Sequence, residues 1–191
     1  MPPRMIVIAG PPGSGKSSAF PVSSFGVAYF NADDRAAALN SDSYQGISQD
    51  IRRVVNREYE EFVLGHIQSR ESFAIETTLR SQVTFEQASV ATANGFRVEM
   101  RYLALESFQA HLERIKIRSD AGGHSASETT LRRIYEASLA NLRPAIDCVD
   151  QLWVYDNSRV GREPALVLES SGGQITFLAD PAPAWLQSAF A

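Results

Sequence analysis

One stretch constrains this chain more than any other. Gly10-Pro11-Pro12-Gly13-Ser14-Gly15-Lys16-Ser17 follows the apolar run Met5-Ile6-Val7-Ile8-Ala9 with no spacer. It fits G-x-x-x-x-G-K-[ST], the phosphate-binding loop that joins a strand to a helix. Gly10, Gly13 and Gly15 can take backbone angles closed to residues with a Cβ, so successive N–H groups can curl around a β-phosphate. The helix that follows offers unpaired N–H donors and partial positive charge. Lys16 would reach the β- and γ-phosphates, and the Ser17 hydroxyl would sit on Mg²⁺. Ser14 and Ser18 complete the candidate nucleotide contacts of this stretch.

The rest of the chain alternates short apolar runs with amphipathic stretches. Val27 to Phe30 reads as a second strand ending in Asn31-Ala32-Asp33-Asp34. Ile47, Ile51, Val54, Val55, Tyr59, Phe62, Val63 and Ile67 recur at three-and-four spacing, a long helix with His66 at the edge of its apolar stripe. The polar stretch Tyr44 to Ser48 before it is a candidate substrate-side loop. Ser72 to Ile75 is a third strand, ending in Glu76-Thr77-Thr78-Leu79-Arg80, and a helix from Ser81 stops at Asn94-Gly95. Phe96 to Leu105 is a fourth strand and Glu106 to Arg118 a helix. A Gly-rich break at 119–127 precedes a helix from Glu128 to Asn141. Leu152 to Tyr155 is a fifth strand, ending in Asp156-Asn157-Ser158. The expected fold is α/β, a P-loop NTPase or kinase fold with roughly five parallel strands and helices on both faces. Ala165 to Glu169 and Gln174 to Leu178 add a C-terminal hairpin, whose turn Ser171-Gly172-Gly173-Gln174 only superficially matches a transporter-ATPase signature, and 181–191 closes the chain as a short helix.

Composition narrows the partners. The 191 residues are read as one domain, with a lid at 118–133 and an edge hairpin at 165–178. A net charge of −4 gives no global attraction to nucleic acid or to a membrane surface, so a polyanionic substrate needs a local basic site. The lone Cys148 rules out an internal disulfide and reads as a small buried hydrophobe. Only five apolar residues follow Arg4 before the glycines, too few for a signal peptide, and no run approaches the roughly 20 residues of a membrane span. The expected location is cytoplasmic.

Phosphoryl transfer needs the phosphates held, charge neutralised and the attacking oxygen placed beside a base. Ligands of open α/β sheets bind at the carboxyl ends of strands, which puts Asp33, Asp34, Glu76, Thr78 and Arg80 at the same crevice as the loop. Asp33 or Asp34 could accept a proton from a substrate hydroxyl; Asp33 is taken as the base and Asp34 as a helix N-cap. Glu76, with Thr78 and Arg80, would hold the acceptor. Arg118, Arg132 and Arg133 bracket the Gly-rich break, where a lid could bring guanidinium groups to the transferring phosphoryl. No N-K-x-D follows the loop to favour guanine, and no four-residue apolar run ends in Asp-Glu as a motor ATPase requires.

These pieces, in order, resemble the zeta toxin family of P-loop kinases over nearly all of residues 5 to 158. They are the loop at 10–17, Phe30-Asn31-Ala32-Asp33, Ile75 to Arg80, Gly122-Gly123-His124, Arg132-Arg133-Ile134-Tyr135 with Ser138 and Asn141-Leu142, and Tyr155-Asp156-Asn157-Ser158. The chain departs from plasmid-borne members at Asn31, where they tend to carry an acid. The resemblance implies a kinase that uses ATP and Mg²⁺ to phosphorylate a sugar hydroxyl, with UDP-N-acetylglucosamine as acceptor. It assigns Asp33 as general base, Glu76 and Thr78 to the acceptor, Lys16 and Ser17 to the nucleotide and Arg118 and Arg132 to the lid; Asn157 joins the candidate nucleotide contacts. It also implies a small helical antitoxin as partner. Two other readings stand beside it: a kinase for another hydroxyl, such as a metabolite or a polynucleotide end, and a nucleotide-binding module of a toxin–antitoxin complex.

Overall fold

The computed structural model describes residues 1–120 and 126–190, the side chains of 118–120 excepted. Five strands, β1 (Arg4–Ala9), β2 (Ala28–Asn31), β3 (Phe73–Thr77), β4 (Arg97–Ala104) and β5 (Gln151–Asp156), pair in parallel. β6 (Ala165–Ser171) and β7 (Gln174–Leu178) add antiparallel to β5, giving the order β2-β3-β1-β4-β5-β6-β7. The expected parallel sheet and hairpin are both present. Gly172 and Gly173, at φ 55° and 79°, form the two-residue hairpin turn, whose geometry needs positive φ at both central positions.

The chain leaves β1 for β2, two places away, and then fills the position between them with β3 before crossing to β4. Strand order therefore reverses at β1, and the crevice beyond its carboxyl end is where such sheets bind ligands.

The helices are α1 (Lys16–Ala19), α2 (Ala32–Leu39), α3 (Gln49–Ser69), α4 (Val83–Ala93), α5 (Phe108–Asp120), α6 (Glu128–Ala140), α7 (Leu142–Cys148) and α8 (Ala184–Ala189). α1 is one turn long because Pro21 follows, and a 3-10 turn at Val22–Phe25 replaces its continuation. Met5, Val7 and Ala9 of β1 pack toward α3, α4, α7 and α8 through Val63, Ile67, Phe85, Ala88, Ile146 and Leu186. Ile6 and Ile8 point to the other face, where Val22, Phe20, Phe25 and Val27 cover them. Helical coverage is thus heavier on one face than the sequence suggests. α5 and α6 form a separate small core of Phe108, Leu112, Ile115 and Leu131. No helix among the described residues is long and apolar enough to cross a membrane.

One expectation changes here, that for Cys148, and the reading of His66 is narrowed. Cys148 ends α7 exposed, not buried, and partial burial with the neighbouring Asp147 carboxylate pushes its thiol pKa up, so it is not an activated nucleophile. His66 is structural: its Nδ1 lies 2.7 Å from the Phe62 carbonyl oxygen, and the ring packs on Phe62 and Phe73.

Candidate nucleotide and phosphoryl-transfer site

The loop at 10–17 is set by close approach as much as by turn geometry. Gly10 sits at φ 137°, and a Cβ there would enter the Leu103 carbonyl of β4. Gly15 sits at φ 89°, and its Cβ would come within 2.5 Å of Asn157 Nδ2. Lys16 is 8% exposed; its ammonium donates to the Gly10 carbonyl at 2.9 Å and the Pro11 carbonyl at 3.2 Å. The Ser17 hydroxyl donates to Glu76 Oε2 at 2.9 Å, and Lys16 Nζ lies 3.9 Å from Glu76 Oε1. Ser14 is fully buried, and its Oγ makes no hydrogen bond among the described residues. Ser18 is exposed in the first turn of α1 and donates its N–H to the Gly15 carbonyl.

Asn157, just beyond β5, donates from Nδ2 to the Ser14 carbonyl at 2.8 Å and accepts at its own carbonyl from Arg114 at 2.6 Å. His111 bonds the Pro12 carbonyl and the Leu105 N–H, both at 2.9 Å. His111 and Arg114 are absent from the residues singled out by sequence. Both lie on an ordinary amphipathic stretch, and a bond spanning 99 positions leaves no local signal.

At the acidic side, Asn31 of β2 pairs in register with Glu76 of β3, and Ile8 of β1 with the same Glu76. The N-cap of α2 is Asn31, not Asp34: its Oδ1 accepts from the Asp33 N–H at 3.0 Å and the Asp34 N–H at 3.3 Å. Asn and Asp cap helices equally well, so Asn31 serves the cap as an acid at this position would. Asp34 instead accepts from the Tyr44 hydroxyl at 2.8 Å, tying the 40–48 loop to α2, while Asp33 is exposed at the helix start. A bidentate Arg35–Glu58 pair, at 2.6 and 2.8 Å, joins α2 to α3.

Burial raises the Glu76 pKa, and Asp33 and Asp34 push the same way, against Lys16 and Ser17. Among the described residues no three His, Cys, Asp or Glu side chains gather to form a metal cage. A hydroxyl with one carboxylate is nonetheless a fitting donor set for Mg²⁺, which is commonly held by one or two protein oxygens plus substrate phosphates and water.

The segment after β3 is strained. Leu79 is fully buried at φ 55°, a left-handed conformation unfavourable for a residue with a Cβ. Thr77 Oγ1 accepts from the Leu79 N–H at 3.1 Å, and Asn141 Nδ2 donates to the Leu79 carbonyl at 2.9 Å. Thr78, half-buried, and Arg80, exposed, flank the residue held in this way. Other motif residues of α6 are also structural. Ser138 Oγ meets the Tyr102 hydroxyl at 3.0 Å, and the Tyr135 ring packs on Phe108 and His111.

Of the candidate lid, the Arg118 side chain and Gly122, Gly123 and His124 lie outside the described residues. Arg132 is exposed, with its guanidinium 4.2 Å from the Phe108 ring centre and 3.4 Å from Glu128. Arg133 is exposed on the same helix.

A strand, a glycine loop with a buried lysine, and a carboxylate seated on the loop serine define a P-loop protein of the kinase class. Residues 1–163 match the family model described as Zeta toxin, and the chain belongs to that family. It is 26% identical over 137 residues to an uncharacterized protein of Haemophilus influenzae (strain ATCC 51907 / DSM 11121 / KW20 / Rd), covering 69% of this chain and 92% of that protein. Among solved structures it resembles a chain of the PezAT chromosomal toxin–antitoxin system of Streptococcus pneumoniae, at TM-score 0.66 and 16% identity, covering 99% of this chain and 85% of that one. It also resembles a chain of the AvrRxo1-ORF1:AvrRxo1-ORF2 complex with sulphate ions, at TM-score 0.70 and 15% identity, covering 92% of this chain. It spans 60% of the length of that second chain. At these identities the structural likeness is one of fold.

Proposed function

We propose that the protein transfers the γ-phosphate of ATP to a hydroxyl of a small molecule, and that the acceptor is a nucleotide sugar of the UDP-N-acetylglucosamine type. The observation that carries this reading is the register of three strand ends. β1, β2 and β3 bring Lys16 and Ser17, Asp33, and Glu76 to one crevice, with the Glu76 carboxylate on the Ser17 hydroxyl. A protein that only bound nucleotide would have little use for carboxylates there.

In this reading the loop N–H groups and the Lys16 ammonium hold the phosphates, with Gly10, Gly13, Ser14, Gly15, Ser18 and Asn157 shaping the cradle. Ser17, supported by Glu76, would hold Mg²⁺, which would supply neutralisation of charge on the phosphate oxygens. Asp33 takes the proton of the acceptor hydroxyl, and its exposure leaves it accessible to that substrate. Glu76, Thr78 and Arg80 orient the acceptor, Thr78 and Arg80 being placed by the strained Leu79. Arg118 and Arg132 approach the transferring phosphoryl; for Arg132 this means leaving Phe108. A small antitoxin partner is a further proposal, supported by family membership and by the likeness to a chain of a toxin–antitoxin system.

The test is mass spectrometry of UDP-N-acetylglucosamine after incubation with protein, ATP and Mg²⁺, beside a Lys16→Ala control. A product heavier by one phosphoryl group, absent in the control, is expected. ATP binding with no such product overturns the acceptor assignment, and the same assay on a metabolite extract then identifies the hydroxyl used.

A further inference from the structure

α5 lies against the back of the phosphate loop, and His111 meets that loop with hydrogen-bond directions that are fixed. The residue is 1% exposed. Its Nε2 lies 2.9 Å from the Leu105 N–H, and an amide N–H can only donate, so Nε2 accepts and carries no proton. The ring proton is therefore on Nδ1, which donates to the Pro12 carbonyl at 2.9 Å. A Cβ on Gly13 would stand 2.7 Å from the His111 carbonyl oxygen, so helix and loop have no space between them. One turn along, Arg114 holds the Asn157 carbonyl, and Asn157 holds the Ser14 carbonyl. A loop that turns N–H groups toward an anion must turn carbonyls away from it, and two of those carbonyls, Pro12 and Ser14, are held here.

We propose that His111 is a positioning residue for nucleotide binding: as the neutral Nδ1–H tautomer it bridges the chain beyond β4 to Pro12 and fixes the curvature of the phosphate loop. This rests on the nucleotide-binding half of the function proposed above. The charged groups around the ring are Lys16 from α1 and Arg114 from α5, both cationic, with the Tyr135 ring facing it from α6. Burial first, then these cations, disfavours a second ring proton, which would set N–H against the Leu105 N–H. His111 touches no substrate; it acts through Pro12.

The experiment measures ATP affinity by calorimetry at pH 7 for the wild type, Lys16→Ala, His111→Ala and His111→Gln, with thermal melts to verify folding. A ¹⁵N spectrum of the His111 imidazole in the wild type accompanies them. The expected result is a folded His111→Ala protein with ATP affinity weakened about tenfold. His111→Gln, whose oxygen can accept from Leu105 while its NH₂ donates to Pro12, should return to within about twofold of the wild type. The imidazole spectrum should show Nδ1 protonated and Nε2 bare. A folded His111→Ala protein with wild-type affinity, beside a Lys16→Ala protein that has lost it, overturns the role of His111 alone. If His111→Ala does not fold, the spectrum decides, and an Nε2–H tautomer overturns the proposal. A wild type that binds no ATP sinks the proposed function and this inference together.

Discussion

The Ser17 hydroxyl and the Glu76 carboxylate, 59 positions apart, are joined by a 2.9 Å hydrogen bond at the mouth of the phosphate loop. Glu76 is partly buried, its side chain 12% exposed, and its raised pKa means that burial outweighs the attraction of Lys16. Its charge therefore opposes folding at neutral pH, because the unfolded chain ionises the group more easily. Glu76→Gln keeps an oxygen for Ser17 and removes the charge. The expected outcome is a melting temperature higher by a few degrees, roughly 2–4 °C per kcal/mol for a chain of this size. Turnover should fall about 10- to 100-fold, the usual cost of losing a group that supports a metal ligand. A melt and a kinase assay on the same preparation read both.

Asp33 and Asp34 are adjacent and both exposed on α2, but Asp34 accepts from the Tyr44 hydroxyl. Asp33→Asn should lower transfer by about 10²- to 10⁴-fold, the span of general-base contributions, while leaving ATP affinity within about twofold. Asp34→Asn should change transfer by much less, since it loosens only the 40–48 loop. Single-turnover rates with calorimetric ATP affinities separate the two, and equal losses would refute the assignment of the base to Asp33.

Acid should weaken the fold through His111. Burial, with Lys16 and Arg114 nearby, pushes its pKa down to about 4, below the 6.5 of a free histidine. Between those values the unfolded chain binds the extra proton, so stability falls as pH drops from about 6.5 and levels off below about 4. This single group accounts for about 2 kcal/mol between pH 7 and pH 5, at 1.36 kcal/mol per pKa unit. Urea unfolding of the wild type and of His111→Gln at both pH values gives the difference, and the Gln variant should lack that share of the slope.

Glycines of the same chain should not respond alike to a methyl group. Gly10→Ala sets a Cβ into the Leu103 carbonyl at a φ of 137° and should cost about 3 kcal/mol or more. Gly26, at φ 66° with nothing within 4 Å, should lose only about 1 kcal/mol on the same change. Denaturant midpoints of the two variants test the contrast.

Much of this architecture was legible in the residues because it is local. The loop, the one-turn α1 cut off by Pro21, the long helix after the Tyr44 to Ser48 stretch and the Gly172-Gly173 turn each depend on neighbours within a few positions. What was not legible depends on the third dimension. Asn31 and Asp34 both have side chains that cap helices, and only the geometry at the end of β2 decides between them. Cys148 reads as apolar by type but falls on the outer side of a short helix. His111 and Arg114 serve the loop from a helix that packs on it, and Asn141 holds Leu79 from 62 positions away. The sheet order also had no local signature, and it is what pairs Asn31, two residues before Asp33, with Glu76.

β1 is paired on both edges, and every residue from Met5 to Ala9 is inaccessible. Its amides have no route to solvent short of opening the whole sheet, so their exchange with deuterium should report global unfolding, while the edge strand β7, exposed along its length, exchanges through local fraying. The strand that carries the phosphate loop is thereby the slow clock of the molecule, and a ligand on that loop would be held against the part of the chain that opens last.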